Sequence, residues 1–195
     1  MSKTDLNKVR HPSLIIVSCW QIIVWIFIAA FWILPMVVFL VAIWAHNDKL
    51  LLSCGCLICM SASLLVLYLP ESYYQPKSFE LSGRLYKLLG IRYYKRWMVD
   101  GDYMNKLIRQ FDADYQVVSR SSSRRFEEKT RSNEREHLIL FLVSFPAIIY
   151  SILVGWYSYA VFLYLSNVIV NFYPIMLQRY NRSRIYKQLR RNMQL

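Results

Sequence analysis

The residues best suited to chemistry stand directly before an apolar run in the second half of the chain. They are Thr130, Arg131, Glu134 and His137. Spacings of three and four residues place side chains on one face of a helix, so this face carries a hydroxyl, a cation, an acid and a base. His137 is the last polar residue before the apolar run, which predicts a position at a membrane boundary. The same pattern is also typical of a solvated helix with ordinary ion pairs, such as Glu127 with Arg131.

A second set of polar residues lies in the last apolar run. Asn167, Asn171, Gln178 and Arg182 fall within a narrow sector of a helical wheel, although Pro174 interrupts the helix between them. Polar side chains at bilayer depth are costly and normally face other helices or a cavity. The two sets together predict a wet crevice at the membrane surface, and hydrogen bonding between helices is the simpler alternative.

Other common catalytic and metal-binding patterns are missing from the sequence. It contains no glycine-rich phosphate loop, no G-x-S-x-G and no H-E-x-x-H. The four cysteines lie inside apolar runs, where a zinc site would lack polar support and matching histidines. We therefore expect small packing residues, no disulfide, no metal and no resident cofactor. These cysteines are Cys19, Cys54, Cys56 and Cys59.

Composition identifies the broad class of the protein. The chain has 195 residues, of which 56% are apolar and 16% aromatic, and its net charge is +12. Disorder requires low hydrophobicity, and a soluble nucleic-acid binder has no use for uncharged runs that can cross a bilayer. The sequence predicts one all-α integral membrane domain over residues 1–195, with no nucleic-acid partner.

The apolar runs predict four membrane spans, at residues 14–45, 50–69, 138–154 and 156–177. Gly155 divides the last two, and the long first run is either one helix kinked at Pro35 or a span joined to an interfacial helix. With four spans, all but one of the 24 basic residues fall on one side. Basic residues favour the cytoplasmic side, so the sequence predicts a multi-pass protein of the cell membrane with both termini in the cytoplasm.

The cytosolic part consists of a segment over residues 71–137 and a basic tail over residues 178–195. The segment carries fourteen basic and ten acidic residues. Residues 79–89 read as a short helix that ends at Gly90, and aromatic residues such as Tyr93 and Trp97 alternate with cations after it. Such an amphipathic helical segment is expected to lie on the membrane and attract anionic lipid headgroups.

Three segments resemble one family, in order and over roughly residues 86–184. They are YKLLGIRYYKRWMVDGD from Tyr86, the Thr130-Arg131 pair followed by Glu134 and His137, and Gln178-Arg179-Tyr180-Asn181-Arg182. Together they are similar to the glycosyl-4,4'-diaponeurosporenoate acyltransferase family of carotenoid glycolipid biosynthesis.

The resemblance implies transfer of a fatty acyl group from an acyl-CoA-type donor to a sugar hydroxyl of a glycosylated isoprenoid or another membrane glycolipid. Under this reading His137 is the general base, since an imidazole titrates near neutrality, and Glu134 orients it. The remaining polar residues would bind the phosphates, the thioester carbonyl or the sugar. These substrate-binding candidates are Thr130, Arg131, Asn171, Gln178, Arg179, Tyr180, Asn181 and Arg182, with Lys87, Arg92 and Lys95 as further donor contacts.

Two other functions stay open at this point. A membrane methyltransferase also suits four spans, but the sequence has no mark of a nucleoside pocket. A non-catalytic accessory or assembly subunit would instead dock a partner through its basic cytosolic face. In that case Thr130, Glu134 and His137 would be dispensable, and interface aromatics such as Trp97 would matter.

Overall fold

The computed structural model describes residues 12–45, 49–98, 101–110 and 123–193, and all regular structure within them is helical. The predicted all-α class is confirmed. The first eleven residues and the predicted hairpin tip at 46–48 lie outside the described residues. The helices are α1 (Pro12–Ile28), α2 (Leu34–Ala45), α3 (Lys49–Leu67), α4 (Glu71–Tyr74), α5 (Ser78–Leu81), α6 (Arg84–Leu88), α7 (Ile91–Trp97), α8 (Asp102–Arg109), α9 (Ser123–Val143), α10 (Phe145–Leu153), α11 (Tyr157–Asn167) and α12 (Tyr173–Met193).

Three stretches of helix are long and apolar enough to cross a membrane by themselves. They are Ile15–Ala45, Phe126–Leu153 and Tyr157–Lys187. A fourth span is obtained only if Leu52–Leu67 is counted with Glu71–Leu81, to which it lies at 83°. The helices therefore indicate a membrane protein, while the number of spans is three or four. The predicted division at Gly155 is confirmed, since this glycine turns the chain between α10 and α11 with a φ of 80°.

A π-helical turn at Ala29–Ile33 joins α1 to α2 and explains how the first span tolerates Pro35. Proline has no N–H and clashes with the preceding turn of an α-helix. The wider turn accommodates this, with the N–H of Leu34 bonded to the carbonyl of Ala29, five residues back. The run at Ile15–Ala45 is thus one continuous helix, without a separate interfacial helix.

A second π-helical turn, Val168–Phe172, joins α11 to α12 and again precedes a proline by two residues. Pro174 cannot donate to the carbonyl of Ile169, which would be its partner in a π-helical pattern. The hydroxyl of Tyr94 on α7 donates to that carbonyl instead, at 3.2 Å. This bond joins α7 to the last apolar helical stretch.

Glycine determines where the short helices α5, α6 and α7 begin and end. The predicted helix over residues 79–89 is wrong, because Gly83 adopts a φ of 72° and separates α5 from α6. The predicted stop at Gly90 is confirmed, with a φ of 68° at the start of α7. Gly101 packs against the end of α7, where a Cβ would overlap the carbonyl oxygen of Lys95.

The helices α9 and α12 pack against each other and carry most of the predicted site. Two apolar clusters support them. One lies between the spans and contains Phe39, Ile43, Ala147, Ile148, Tyr150, Ala160 and Leu163. The other holds α6 and α7 against α12 and contains Tyr86, Ile91, Leu177 and Tyr180.

Candidate active site

A cavity of about 1820 Å³ lies between α1, α7, α8, α9 and α12. Its lining on α9 is polar from Lys129 to His137 and becomes apolar at Leu140, one turn later. The face of α1 is apolar beyond Gln21, so the cavity has a polar part and an apolar part. The apolar lining includes Ile23, Val24, Phe27, Ile28, Trp32, Leu140 and Ile169.

Two contacts of the helical stretch Ile15–Ala45 bound the cavity. The indole N–H of Trp20 on α1 donates to the carbonyl of Trp97 at 2.9 Å, which joins α1 to the end of α7. Twelve residues further on, in the first π-helical turn, the indole N–H of Trp32 donates to Oγ of Ser144 at 3.2 Å. The second contact joins this turn to the joint between α9 and α10. Between these two anchors the helical stretch lies beside the cavity.

His137 faces this cavity from α9 and contacts the second π-helical turn. Its Nδ1 lies 3.3 Å from Oδ1 of Asn171. Asn171 in turn donates from Nδ2 to Oδ1 of Asn167 at 2.8 Å, and Asn167 donates from Nδ2 to the carbonyl of Phe141 at 3.0 Å. Both asparagines are completely buried. Of the polar stripe predicted for the last span, Asn171 therefore contacts the predicted base, and Asn167 is linked to it through Asn171.

Glu134, by contrast, belongs to a buried ion-pair cluster on the side of α9 that packs on α12. Its Oε1 accepts from Nη1 of Arg179 at 2.9 Å, and its Oε2 accepts from Nη2 of Arg182. Glu134 has no exposed surface, and Arg182 is 1% exposed. Both carboxylate oxygens are thus occupied by guanidinium groups. The predicted contact of Glu134 with His137 is absent from the described structure, because two cations on α12 compete for the carboxylate.

Glu80 on α5 is the second acid of this cluster. It accepts from Nε and Nη2 of Arg179 at 2.7 and 3.0 Å, from the hydroxyl of Tyr86 at 2.8 Å and from the N–H of Lys77 at 2.6 Å. Burial, and the bond to this carboxylate, raise the pKa of Tyr86 well above its ordinary value, so the phenol stays a donor. Arg179 therefore joins α5, α9 and α12.

Arg131 and Thr130 also make contacts within and beside α9. Nη2 of Arg131 donates to Oε1 of Glu127 at 2.6 Å, which is the ordinary ion pair that the spacing predicts. Nη1 of Arg131 reaches Glu71 at 3.3 Å. The hydroxyl of Thr130 donates to the carbonyl of Glu127 at 2.7 Å. Neither side chain reaches His137 through these bonds.

The structure thus divides the predicted site residues into two groups. Thr130, His137, Asn171, Gln178, Tyr180 and Asn181 line the cavity. Arg131, Glu134, Arg179 and Arg182 are held in ion pairs away from the described lining of the cavity. In the described structure the three arginines bind acidic residues, although Nε of Arg131 and Nη1 of Arg182 are buried without a hydrogen-bond partner. The substrate contacts predicted for these arginines stay a prediction.

Two residues of this region are missing from the predicted site. Glu80 is an acid inside an otherwise apolar helical face, which is a sequence signal for a buried ion pair. Asn167 belongs to the predicted polar stripe, but its spacing gives no reason to link it to His137. The link depends on the way the second π-helical turn places Asn171.

Sequence comparisons identify the family of the chain. The family model for glycosyl-4,4'-diaponeurosporenoate acyltransferase matches residues 70–191, which cover the helices from α4 to α11 and α12 as far as residue 191. No significant match to the chain is found among curated proteins or among solved structures. The family match spans more than half of the chain and includes every predicted site residue. The chain therefore belongs to the glycosyl-4,4'-diaponeurosporenoate acyltransferase family, whose members are acyltransferases.

Proposed function

We propose that this protein transfers a fatty acyl group from an acyl-CoA-type donor to a sugar hydroxyl of a glycosylated isoprenoid or another membrane glycolipid, with His137 as general base. The observation that carries the proposal is the place of His137, where the polar lining of the cavity changes to apolar lining. A sugar hydroxyl and the head of a lipid chain meet at such a boundary. The reaction type rests on the family.

The apolar part of the cavity is suited to the acyl chain of the donor. Its wall is the helical face between the two tryptophan anchors, and Trp32 closes it against Ser144. Next to Trp32 in the chain, the ring of Phe31 lies tilted against that of Phe162, with centroids 6.3 Å apart. Burying the chain here favours binding through the hydrophobic effect, at about 0.8 kcal/mol for each CH₂ group. The chain end would then point toward Trp32, and the thioester toward His137.

The cytosolic end of the cavity is suited to a donor rich in phosphate. Its lining contains many more basic than acidic side chains, and one of the acids, Asp102, is paired with Lys95 at 2.8 Å. Guanidinium and ammonium groups bind phosphates strongly. The basic residues of this lining other than Lys95 are Arg92, Lys106, Arg109, Lys129, Arg184 and Lys187.

The chemistry follows from these placements. His137 takes the proton of the acceptor hydroxyl while the oxygen attacks the thioester carbonyl. The C–S bond then breaks, and the imidazolium returns the proton to the leaving thiolate. Gln178 and Asn181, both half-buried in the lining, supply amide N–H groups for the sugar or for the oxyanion that forms on the carbonyl oxygen.

We also propose that the protein lies in the cell membrane with four spans and with both termini in the cytoplasm. The distribution of basic residues supports this orientation, and α3 with its bent continuation supplies the extra span. In this orientation the basic end of the cavity faces the cytoplasm, where acyl-CoA is available.

Purified protein with an acyl-CoA and a glycolipid acceptor tests the proposal. We expect His137→Ala to lower kcat by about 10²-fold or more, with little change in KM, since lost acid or base catalysis typically has this effect. Ser132→Ala, an exposed change on the same helix, is the control. Folded His137→Ala protein with wild-type turnover would remove His137 from the mechanism.

A further inference from the structure

We infer that Asn167 is a positioning residue which, through Asn171, fixes the tautomer of His137 so that Nε2 is the atom that accepts the proton. The inference rests on the proposed function of His137 as base. It assigns a role to Asn167, which is not among the described lining residues of the cavity and is joined to His137 only through Asn171.

The carbonyl of Phe141 fixes the orientation of the first amide, because a carbonyl oxygen only accepts hydrogen bonds. The side chain of Asn167 approaches it at 3.0 Å and must therefore present its NH₂ group. Oδ1 of Asn167 then faces Asn171. The orientation of the first amide is thereby determined by chemistry.

The second amide follows from the first. Oδ1 of Asn167 lies 2.8 Å from Asn171 and accepts only, so Asn171 must donate from Nδ2. Its Oδ1 then faces His137. Neither asparagine has exposed surface, so solvent cannot offer an alternative partner that would let either amide turn over.

The imidazole is the last member of this chain. Oδ1 of Asn171 can only accept, and Nδ1 of His137 lies 3.3 Å from it. In the neutral ring one nitrogen carries the proton and the other carries a lone pair. The proton therefore sits on Nδ1, and the lone pair sits on Nε2. A ring with the opposite tautomer would carry a proton on Nε2 and could not accept one there.

The chain of bonds spans the second π-helical turn. Asn167 is the last residue of α11, and Asn171 lies within the turn itself. Such turns occur often at functional sites. Both ends of the chain of bonds lie on α9, at the carbonyl of Phe141 and at His137, four residues earlier. Asn167 and Asn171, at the two ends of this stretch of the last helix, bridge the distance between them.

Nitrogen NMR tests the inference without any substrate. Changing His11 and His46 to Gln leaves His137 as the one histidine, and ¹⁵N labelling then reports which ring nitrogen carries the proton. We expect a neutral ring with Nδ1 protonated and Nε2 bare. In Asn167→Leu we expect a mixture of the two tautomers, because Asn171 is then free to turn over. Ser166→Ala, a change at a buried polar residue beside Asn167, should keep the first result.

Kinetics give the second readout. Asn167→Leu should lower kcat about tenfold or more with KM nearly unchanged, as losses of outer hydrogen-bond partners of histidine do elsewhere. A proton on Nε2 in the single-histidine protein, or an unchanged ring in Asn167→Leu, would overturn the inference. If His137→Ala keeps full activity, the proposed function fails instead, and the tautomer is still read by NMR.

Discussion

Glu134 on α9 and Arg179 on α12 form a buried ion pair, with Oε1 of the acid 2.9 Å from Nη1 of the guanidinium group. Arg182 binds the other oxygen of the same carboxylate. One carboxylate thus binds two cations at the contact between the helices that carry the cavity, and Glu80, bound to Arg179, supplies the second negative charge. The pair gives this acid a structural task that differs from the catalytic task suggested by its spacing from His137.

The first prediction concerns that acid. Glu134→Gln leaves Arg182 without its charged partner, and breaking a buried pair typically costs about 3–5 kcal/mol of stability. We expect a clear fall in the thermal stability and the membrane abundance of the variant, with turnover per folded molecule reduced much less. Glu128→Gln, at an exposed acid on the same helix, is the control. A stable variant with strongly reduced kcat would return Glu134 to the catalytic site.

The second prediction concerns pH. Only neutral imidazole accepts the proton of a hydroxyl, and an ordinary histidine titrates at about pH 6.5. Activity at saturating substrate should therefore be low below the pKa of His137 and should rise as pH climbs through it. The residual activity of His137→Ala should lack this rise. The measurement is kcat against pH for both proteins, and an identical rise in both would point to another titrating group.

Trp32 provides a test of the apolar part of the cavity. Trp32→Ala removes the indole that closes the cavity against Ser144, so longer acyl chains should fit. Because one methylene group in an apolar pocket is worth about tenfold in rate, we expect a shift of about that size in the ratio of long-chain to short-chain turnover. Trp44→Ala removes an indole of equal size that is 74% exposed. Its chain-length profile should match the wild type, and the same profile for both variants would contradict the assignment.

Gly101 offers a test of how α7 and α8 are held together. A Cβ at this position would also come within 2.6 Å of the carbonyl oxygen of Met98, and backbone atoms cannot yield cheaply. Gly101→Ala should lower stability by about 1–3 kcal/mol, the usual range for overpacking. Gly55 has no atom within 4 Å of an added Cβ and lies inside α3. Gly55→Ala should be neutral or stabilising in the same thermal unfolding measurement.

Membrane orientation is accessible by labelling single cysteines in a background without the native thiols. Tyr157→Cys stands at the start of α11, at the hairpin predicted to face outward, and Lys187→Cys stands near the end of α12. We expect an impermeant reagent to reach the first position in intact cells and the second only after lysis. Labelling of the second position from outside would overturn the orientation.

Hydropathy predicts the all-helical class and three of the apolar helical stretches, because an apolar run in a bilayer has few alternatives to a helix. The predicted span at residues 50–69 is long enough only when it is counted with its bent continuation. The same reasoning predicts that Asn171 and His137 share a polar region, and they lie in contact. The bonding partners of Glu134, however, are not predicted by its spacing. The spacing of Glu134 and His137 permits a bond between them, yet the carboxylate binds arginines more than 40 residues away along the chain. Local spacing contains no information about a cation that arrives from another helix.

Proline and glycine mark further limits of the prediction. Pro35 and Pro174 signal that a helix is disturbed, but not that the disturbance is one wide turn placed before each proline. Gly83 looks harmless within an amphipathic pattern over residues 79–89, although its positive φ ends the helix. In both cases the decisive quantity is a backbone angle, which side-chain periodicity does not report.

The second π-helical turn also has a consequence for evolution. A π-helical turn contains one residue more than the α-helical path it replaces, so it is equivalent to a single-residue insertion. Deleting Val168 would restore the regular path and rotate all of α12 by about 100° about its axis. Arg179 and Arg182 would then turn away from Glu134, and Gln178 and Asn181 would leave the cavity together. Inserting or deleting one residue in this turn is therefore as damaging as the loss of several side chains. We expect homologues to keep the number of residues between Asn167 and Arg182 unchanged.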